Sequence, residues 1–360
     1  MSIAGSVLRV GSVTANFQSE APLHPAAREF LLDAFDRGWA DPQKLHRSSR
    51  QAGILLNQAR EIFSGHLGIR PDQVEFLADP ALGFHLGISG LRTERSQLFY
   101  SATDRSEVFA VASTLPSLCL SVDLSGLPEY PEGSSVEILA WQAANGETGI
   151  ISRQPISFQG RIFVDATSSG AHLDLPDRWS TALWNSRAWQ GPTGLGIFAV
   201  ADRSTWRNPL PHVDQRISSS DFSLPLAMAS ALALEGYMQD YLKVKSHLIQ
   251  INAKIREFLL SEIRDVDMAG TIDGGLPHLL SFSILYIDAQ QLVNELDQRG
   301  FAIDSGSACN SANMEPSHVL AAMGLLTHGS VRLTIHNDAT DAQVEDFLQA
   351  LKDIVTRLRD

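Results

Sequence analysis

The sequence predicts an α/β protein, with a large domain built on a mostly parallel sheet and a smaller C-terminal α+β domain. Three observations predict it. Apolar strand-like runs alternate with helical segments through most of the chain, the pattern of strands joined by crossover helices. The last hundred residues change character, with fewer strands set between helices. The length, 360 residues, is about two domains' worth.

The elements follow in order. Segments 25–35 and 51–67 carry apolar residues three and four apart and read as amphipathic helices. Segment 73–78 reads as a short strand ending at Asp79-Pro80, where proline disfavours continuation of the strand. Segments 97–101, 118–122 and 136–141 are apolar runs of strand length, and 161–164 and 196–200 complete the expected sheet. Segment 224–263 is expected to be helical, as two helices. Strands at 279–286 and 331–335 flank helices at 289–299 and 316–323, and 341–358 is a closing amphipathic helix. The expected large domain is 15–250, and the small one combines 1–14 with 251–360.

Composition narrows the function. The chain is 44% hydrophobic and 19% charged, with a net charge of −13, which argues against a nucleic-acid binder. Its two cysteines, Cys119 and Cys309, have neither metal-like spacing nor a disulfide framework, and a cytoplasmic location is expected. No secretory signal is read at the start, and the longest uncharged runs are too short to span a bilayer. Eleven scattered histidines form no metal motif, so no metal is expected. Only five residues are lysine: Lys44, Lys243, Lys245, Lys254 and Lys352. The 198 residues between the first two contain none, which rules out amine chemistry from that stretch.

One local signal is long and specific: Ser305-Gly306-Ser307-Ala308-Cys309-Asn310-Ser311, followed by Met314-Glu315-Pro316-Ser317-His318. It resembles the cysteine loop of the cysteine desulfurases, in the class V aminotransferase branch of fold-type I PLP-dependent transferases. In that family the loop cysteine attacks a cysteine–PLP adduct and leaves as a persulfide. Small residues and Gly306 suit a mobile loop. Other segments are similar in the same order. Asn145-Gly146-Glu147-Thr148-Gly149 resembles the family's Asn-Asn-Glu-Thr-Gly turn. Val164-Asp165-Ala166 resembles the Val-Asp-Ala whose Asp pairs with the pyridine nitrogen. Gly191-Pro192-Thr193-Gly194 resembles the turn after the Schiff-base lysine, and Ser330-Val331-Arg332 the segment that binds the substrate carboxylate. The resemblance covers roughly residues 15 to 358 and implies a fold-type I PLP-transferase-like fold and a homodimer.

The departures cluster at the cofactor. The resemblance puts Ala188, in Asn185-Ser186-Arg187-Ala188, where the family has its lysine. Arg105 stands for the ring-stacking His, Gly146 for an Asn facing the ring, and Ser168 for a Gln near it. Asp79-Pro80-Ala81 replaces the phosphate loop, and Ser220-Asp221 replaces the phosphate contact given across the dimer. Pro80 removes a donor from a helix start, and two carboxylates facing a phosphate dianion oppose it by on the order of several kcal/mol if poorly hydrated.

The expected function is therefore a cysteine-desulfurase-like protein that has lost PLP catalysis and serves as sulfur acceptor, partner subunit or regulator. An active PLP-dependent desulfurase or aminotransferase is one alternative. A binding protein for another small molecule is the other, its cleft lined by Asp165, Arg332, Trp184 and Trp189. Several residues carry two readings. Cys309 is a persulfide carrier or a relic thiol. Asp165 binds a ligand's ring nitrogen or bonds locally, and Arg332 binds a carboxylate or forms a structural ion pair. Asp79 and Asp221 are phosphate-repelling acids or helix caps, and Arg105 and Arg187 are open to pairing with them. The two tryptophans line a ligand or fill the emptied pocket. Cys119 is expected in the core. Partners implied are a second copy, an active desulfurase paralogue or a sulfur-acceptor protein.

Overall fold

In the computed structural model, residues 14–212, 222–306 and 316–359 are described. Seven strands form the larger sheet: β2 (Val74–Leu77), β3 (Leu98–Ser101), β4 (Ser117–Leu120), β5 (Ile138–Gln142), β6 (Arg161–Asp165), β7 (Thr181–Asn185) and β8 (Gly196–Val200). Their order is β2-β8-β7-β6-β5-β3-β4. The five strands from β4 to β7 are mutually parallel, while β8 runs antiparallel to both β7 and β2. A mixed α/β architecture with a mostly parallel sheet is thus found as expected.

Helices cover both faces, which is why the central strands are almost wholly apolar. Alternation along β6 shows the division. Ile162 and Val164 join the core under helices α1 (Pro25–Arg37), α2 (Arg47–Leu67) and α5 (Leu224–Glu262). Phe163 points the other way, into the core under α3 (Pro80–Ser89) and α4 (Ser106–Ala112). The approach of α3 is close: a Cβ on Gly83 or Gly87 would overlap Leu183 or Phe163.

The smaller sheet has the order β1-β11-β12-β10-β9, from Ala15–Phe17, Phe301–Ser305, Ser330–Thr334, Leu279–Ile284 and Val266–Ala269. Helices α6 (Ala289–Gln298) and α8 (Asp341–Arg359) pack on it, and Val319 of α7 (His318–Ala322) clusters with Ile150. In α8, Val344, Phe347, Leu348, Leu351, Ile354 and Val355 are buried, the three-and-four spacing of one helix face.

Several expectations change. Segment 224–263 holds one helix, not two: α5 runs unbroken for 39 residues. Helix α5 runs through 250/251 and passes from the large sheet to the small one. Strand β1 pairs in parallel with β11 in the small sheet. Cys119 is not in the core. It lies exposed on β4, whose four residues are exposed or half-buried because the strand is at the sheet edge. Burial of what remains covered still pushes its thiol pKa up. No helix among the described residues is long and apolar enough to cross a membrane.

Candidate functional site

Four adjacent parallel strands, β3, β5, β6 and β7, end on the same side of the sheet, and their C-terminal loops build the site. A crevice beyond the carboxyl ends of such strands is where open α/β sheets hold ligands. Thr103, Asp104 and Arg105 follow β3, Asn145 to Glu147 follow β5, Asp165 closes β6, and Asn185 closes β7 with Ser186 to Ala188 after it. A cavity of about 430 Å³ opens between these loops and the small domain. Gly146, Ser168, Ala188, Arg105, Arg187 and Arg332 are among its walls, and none of its lining residues is a lysine. A second cavity of about 260 Å³ lies at the start of α3 and shares Arg105, Thr167, Asn185 and Arg187 with the first.

Asp165 is 3% exposed. One carboxylate oxygen accepts from the Thr167 amide at 2.9 Å and the Thr167 hydroxyl at 2.6 Å. The other lies 3.5 Å from Nε of Arg105. Arg105 also donates through Nη2 to the Ser168 hydroxyl at 2.6 Å. Gly146 leaves room for this arrangement: a Cβ there would lie 3.0 Å from that Nη2 and overlap the Ser168 hydroxyl. The three departures at 105, 146 and 168 thus meet in space. Asp104, fully enclosed beside them, accepts from the Ser101 amide at 2.7 Å. Burial raises its pKa well above the usual carboxylate range, and the Asp165 charge adds to this.

Arg332 and Asp304 are cross-strand partners on β12 and β11, 2.8 Å apart. The Asp304 oxygen that meets Arg332 also accepts from the Ser19 amide at 2.8 Å. Arg187 pairs with Glu20 of the same N-terminal segment. Pairing of Arg105 or Arg187 with Asp79 is not found: their partners are Asp165 and Glu20. Asp79 caps α3 by accepting from the Ala81 amide at 2.9 Å.

The far end of the cleft is uncharged. His278, Tyr237, Thr334 and His336 line it. His278 is held down to a pKa of about 4, by burial and then by the charge of His336. His172, whose ring centroid is 4.7 Å from that of His278, is held well below its usual range mainly by burial. His336 is also lowered by burial, and its Nε2 donates to the Gln18 carbonyl at 2.9 Å. Glu147, near Ser317, is shifted up by burial.

The tryptophans do not line the cleft. Trp184 and Trp189 are each 1% exposed, and Trp189 donates to the Ser230 hydroxyl at 3.1 Å. Cys309 and Asp221 lie outside the described residues. Among the described residues no group of His, Cys, Asp or Glu could hold a metal ion. Reading the sequence missed Thr167, Asp304 and the histidine end. Thr167 was detectable as a hydroxyl two residues after Asp165. Asp304 was not, because it meets Arg332 only through the register of β11 against β12.

The profile of the aminotransferase class-V family matches residues 224–347. The cysteine desulfurase IscS of Dictyoglomus turgidum is 23% identical, over 96% of this chain and 95% of that protein. The IscS-like cysteine desulfurase of Mycobacterium tuberculosis is 28% identical, over 94% and 95%. A solved NifS-like protein superposes with a TM-score of 0.84 at 18% identity, covering 96% of this chain and all of that one. The fold is that of NifS-like, fold-type I transferases. The class-V match over its C-terminal part and the full-length likeness to cysteine desulfurases together place the chain's resemblance among those proteins.

Proposed function

We propose that this protein keeps the cysteine desulfurase fold without running PLP chemistry, and acts in sulfur transfer as a persulfide acceptor, partner subunit or regulator. The observation that carries this is the lysine-free cleft with Ala188 in its wall. PLP catalysis needs an amine to hold and activate the aldehyde carbon. The methyl of Ala188 lies instead against Gly170, where an added Cβ would sit 3.1 Å away. The remaining residues fit the cofactor poorly. Asp165, the partner that the resemblance gives to the pyridine nitrogen, is already paired with Arg105. Arg332, the partner for the substrate carboxylate, is already paired with Asp304. Asp79 places a carboxylate at the helix start where a phosphate would bind.

In this reading Cys309 is the acceptor. Its thiolate attacks the outer sulfur of a donor's cysteine persulfide, an S–S bond forms at Cys309, and the donor cysteine leaves as thiolate. The protein works in the cytoplasm as a homodimer, or paired with an active desulfurase paralogue. The relatives' names favour a second reading, an active PLP-dependent desulfurase or aminotransferase. The open cavity of about 430 Å³ supports a third, the binding of another small molecule.

Two measurements decide. Mixed with PLP, the protein is expected to show no aldimine absorbance that borohydride fixes to the chain. Such a band, with sulfide released from cysteine, overturns the proposal. Incubated with an active desulfurase and cysteine, it is expected to gain one sulfur on Cys309, and the Cys309→Ser variant none. No gain in the wild type leaves only the partner and regulator roles.

A further inference from the structure

We propose that the pocket formed by Asp165, Ser168 and Gly146 is a berth for a planar cation, which the chain fills with its own Arg105. This deepens the reading above, because a filled berth has no room for a bound ring.

The geometry comes from three strand ends. Asp165 is buried at the end of β6 and offers one oxygen that Thr167 does not use. That oxygen and the Arg105 Nε are both enclosed, and neither has a hydrogen-bond partner. They face each other at 3.5 Å as an ion pair. The guanidinium completes its fit on the Ser168 hydroxyl and over the bare backbone of Gly146, where a side chain would collide. A flat, delocalised cation with directed N–H donors suits this slot better than a hydrated ammonium. The side chain is also retractable: Arg105 is 37% exposed and stands between the two cavities, lining both. Withdrawn, it leaves the Asp165 carboxylate and the Ser168 hydroxyl to a small planar cation such as guanidinium or amidinium.

The test needs no cofactor. Arg105→Ala leaves Asp165 buried and unpaired, so its folding equilibrium is expected to worsen by roughly tenfold to a hundredfold. Guanidinium or methylguanidinium, at concentrations far below denaturing, is expected to raise its Tm saturably. Sodium and tetramethylammonium salts at equal concentration do not. Wild type and Arg105→Ala/Asp165→Asn are expected to show no such rise, and the double variant recovers most of the lost stability. Additive losses, or guanidinium lowering the Tm of every variant alike, overturn the proposal. So does failure of the double variant to fold. The borohydride experiment bears on PLP turnover and this one on the berth, so either reading can fail alone.

Discussion

At the scale of single residues, the cleft satisfies its charges internally. Arg105 answers Asp165, Arg332 answers Asp304, and Arg187 answers Glu20. The buried pair of Arg332 and Asp304 is costly to break from one side, since the remaining charge stays desolvated. The histidine end behaves differently, because burial there keeps the imidazoles neutral. His278 protonates near 4 in the fold and near 6.5 in the unfolded chain. As pH falls, the unfolded chain therefore takes up the proton first. Stability from the neutral ring is fully present above pH 6.5 and is lost on descending to about 4, by up to roughly 3 kcal/mol. Asp104 and Glu147, both raised, act in the opposite sense, losing stability as pH rises above their unfolded values. Comparing wild type with His278→Gln isolates the histidine. Urea unfolding is expected to show the wild type losing more stability than the variant between pH 6.5 and 4, and equal slopes would refute it.

At the scale of elements, the central strands β3, β5, β6 and β8 were legible because their apolar runs have the right length and are bounded by polar or turn residues, whereas the central β7 was not read. The edges were less so. Leu118-Cys119-Leu120 looks like core in a linear chain, yet β4 has only β3 as a neighbour and leaves Cys119 in solvent. Strand β1 is three residues long and depends on a partner nearly 290 positions away, so no local pattern announces it. Helix α3 shows how packing overrides propensity. Alanine favours a helix over glycine by about 1 kcal/mol, but at Gly87 its Cβ would overlap the Phe163 ring. Gly87→Ala is expected to destabilise by about 1–2 kcal/mol in urea unfolding. Gly65→Ala in α2, where nothing lies within 4 Å, is expected to stabilise by about 0.5–1 kcal/mol.

At the scale of the whole molecule, α5 joins the two sheets. Its first half packs under the large sheet, and its second half reaches the small one through Asn252. That side chain is 2% exposed, donates to the carbonyls of Pro277 and Leu279, and accepts from Arg256 at 2.8 Å. Asn252→Ala strands these groups and is expected to cost about 2–3 kcal/mol, read from the urea midpoint. A neutral result would mean that α5 is not tied to the small domain here. The sequence by itself determined the resemblance to cysteine desulfurases, the α/β class and the lysine-free stretch, because composition and contiguous motifs are local properties. It also showed Arg105, Gly146 and Ser168 as three separate departures. Only the tertiary structure decided that they are one arrangement around Asp165. Their loops are about forty and twenty residues apart in the chain, and parallel strands bring such distant ends together at a single edge of the sheet.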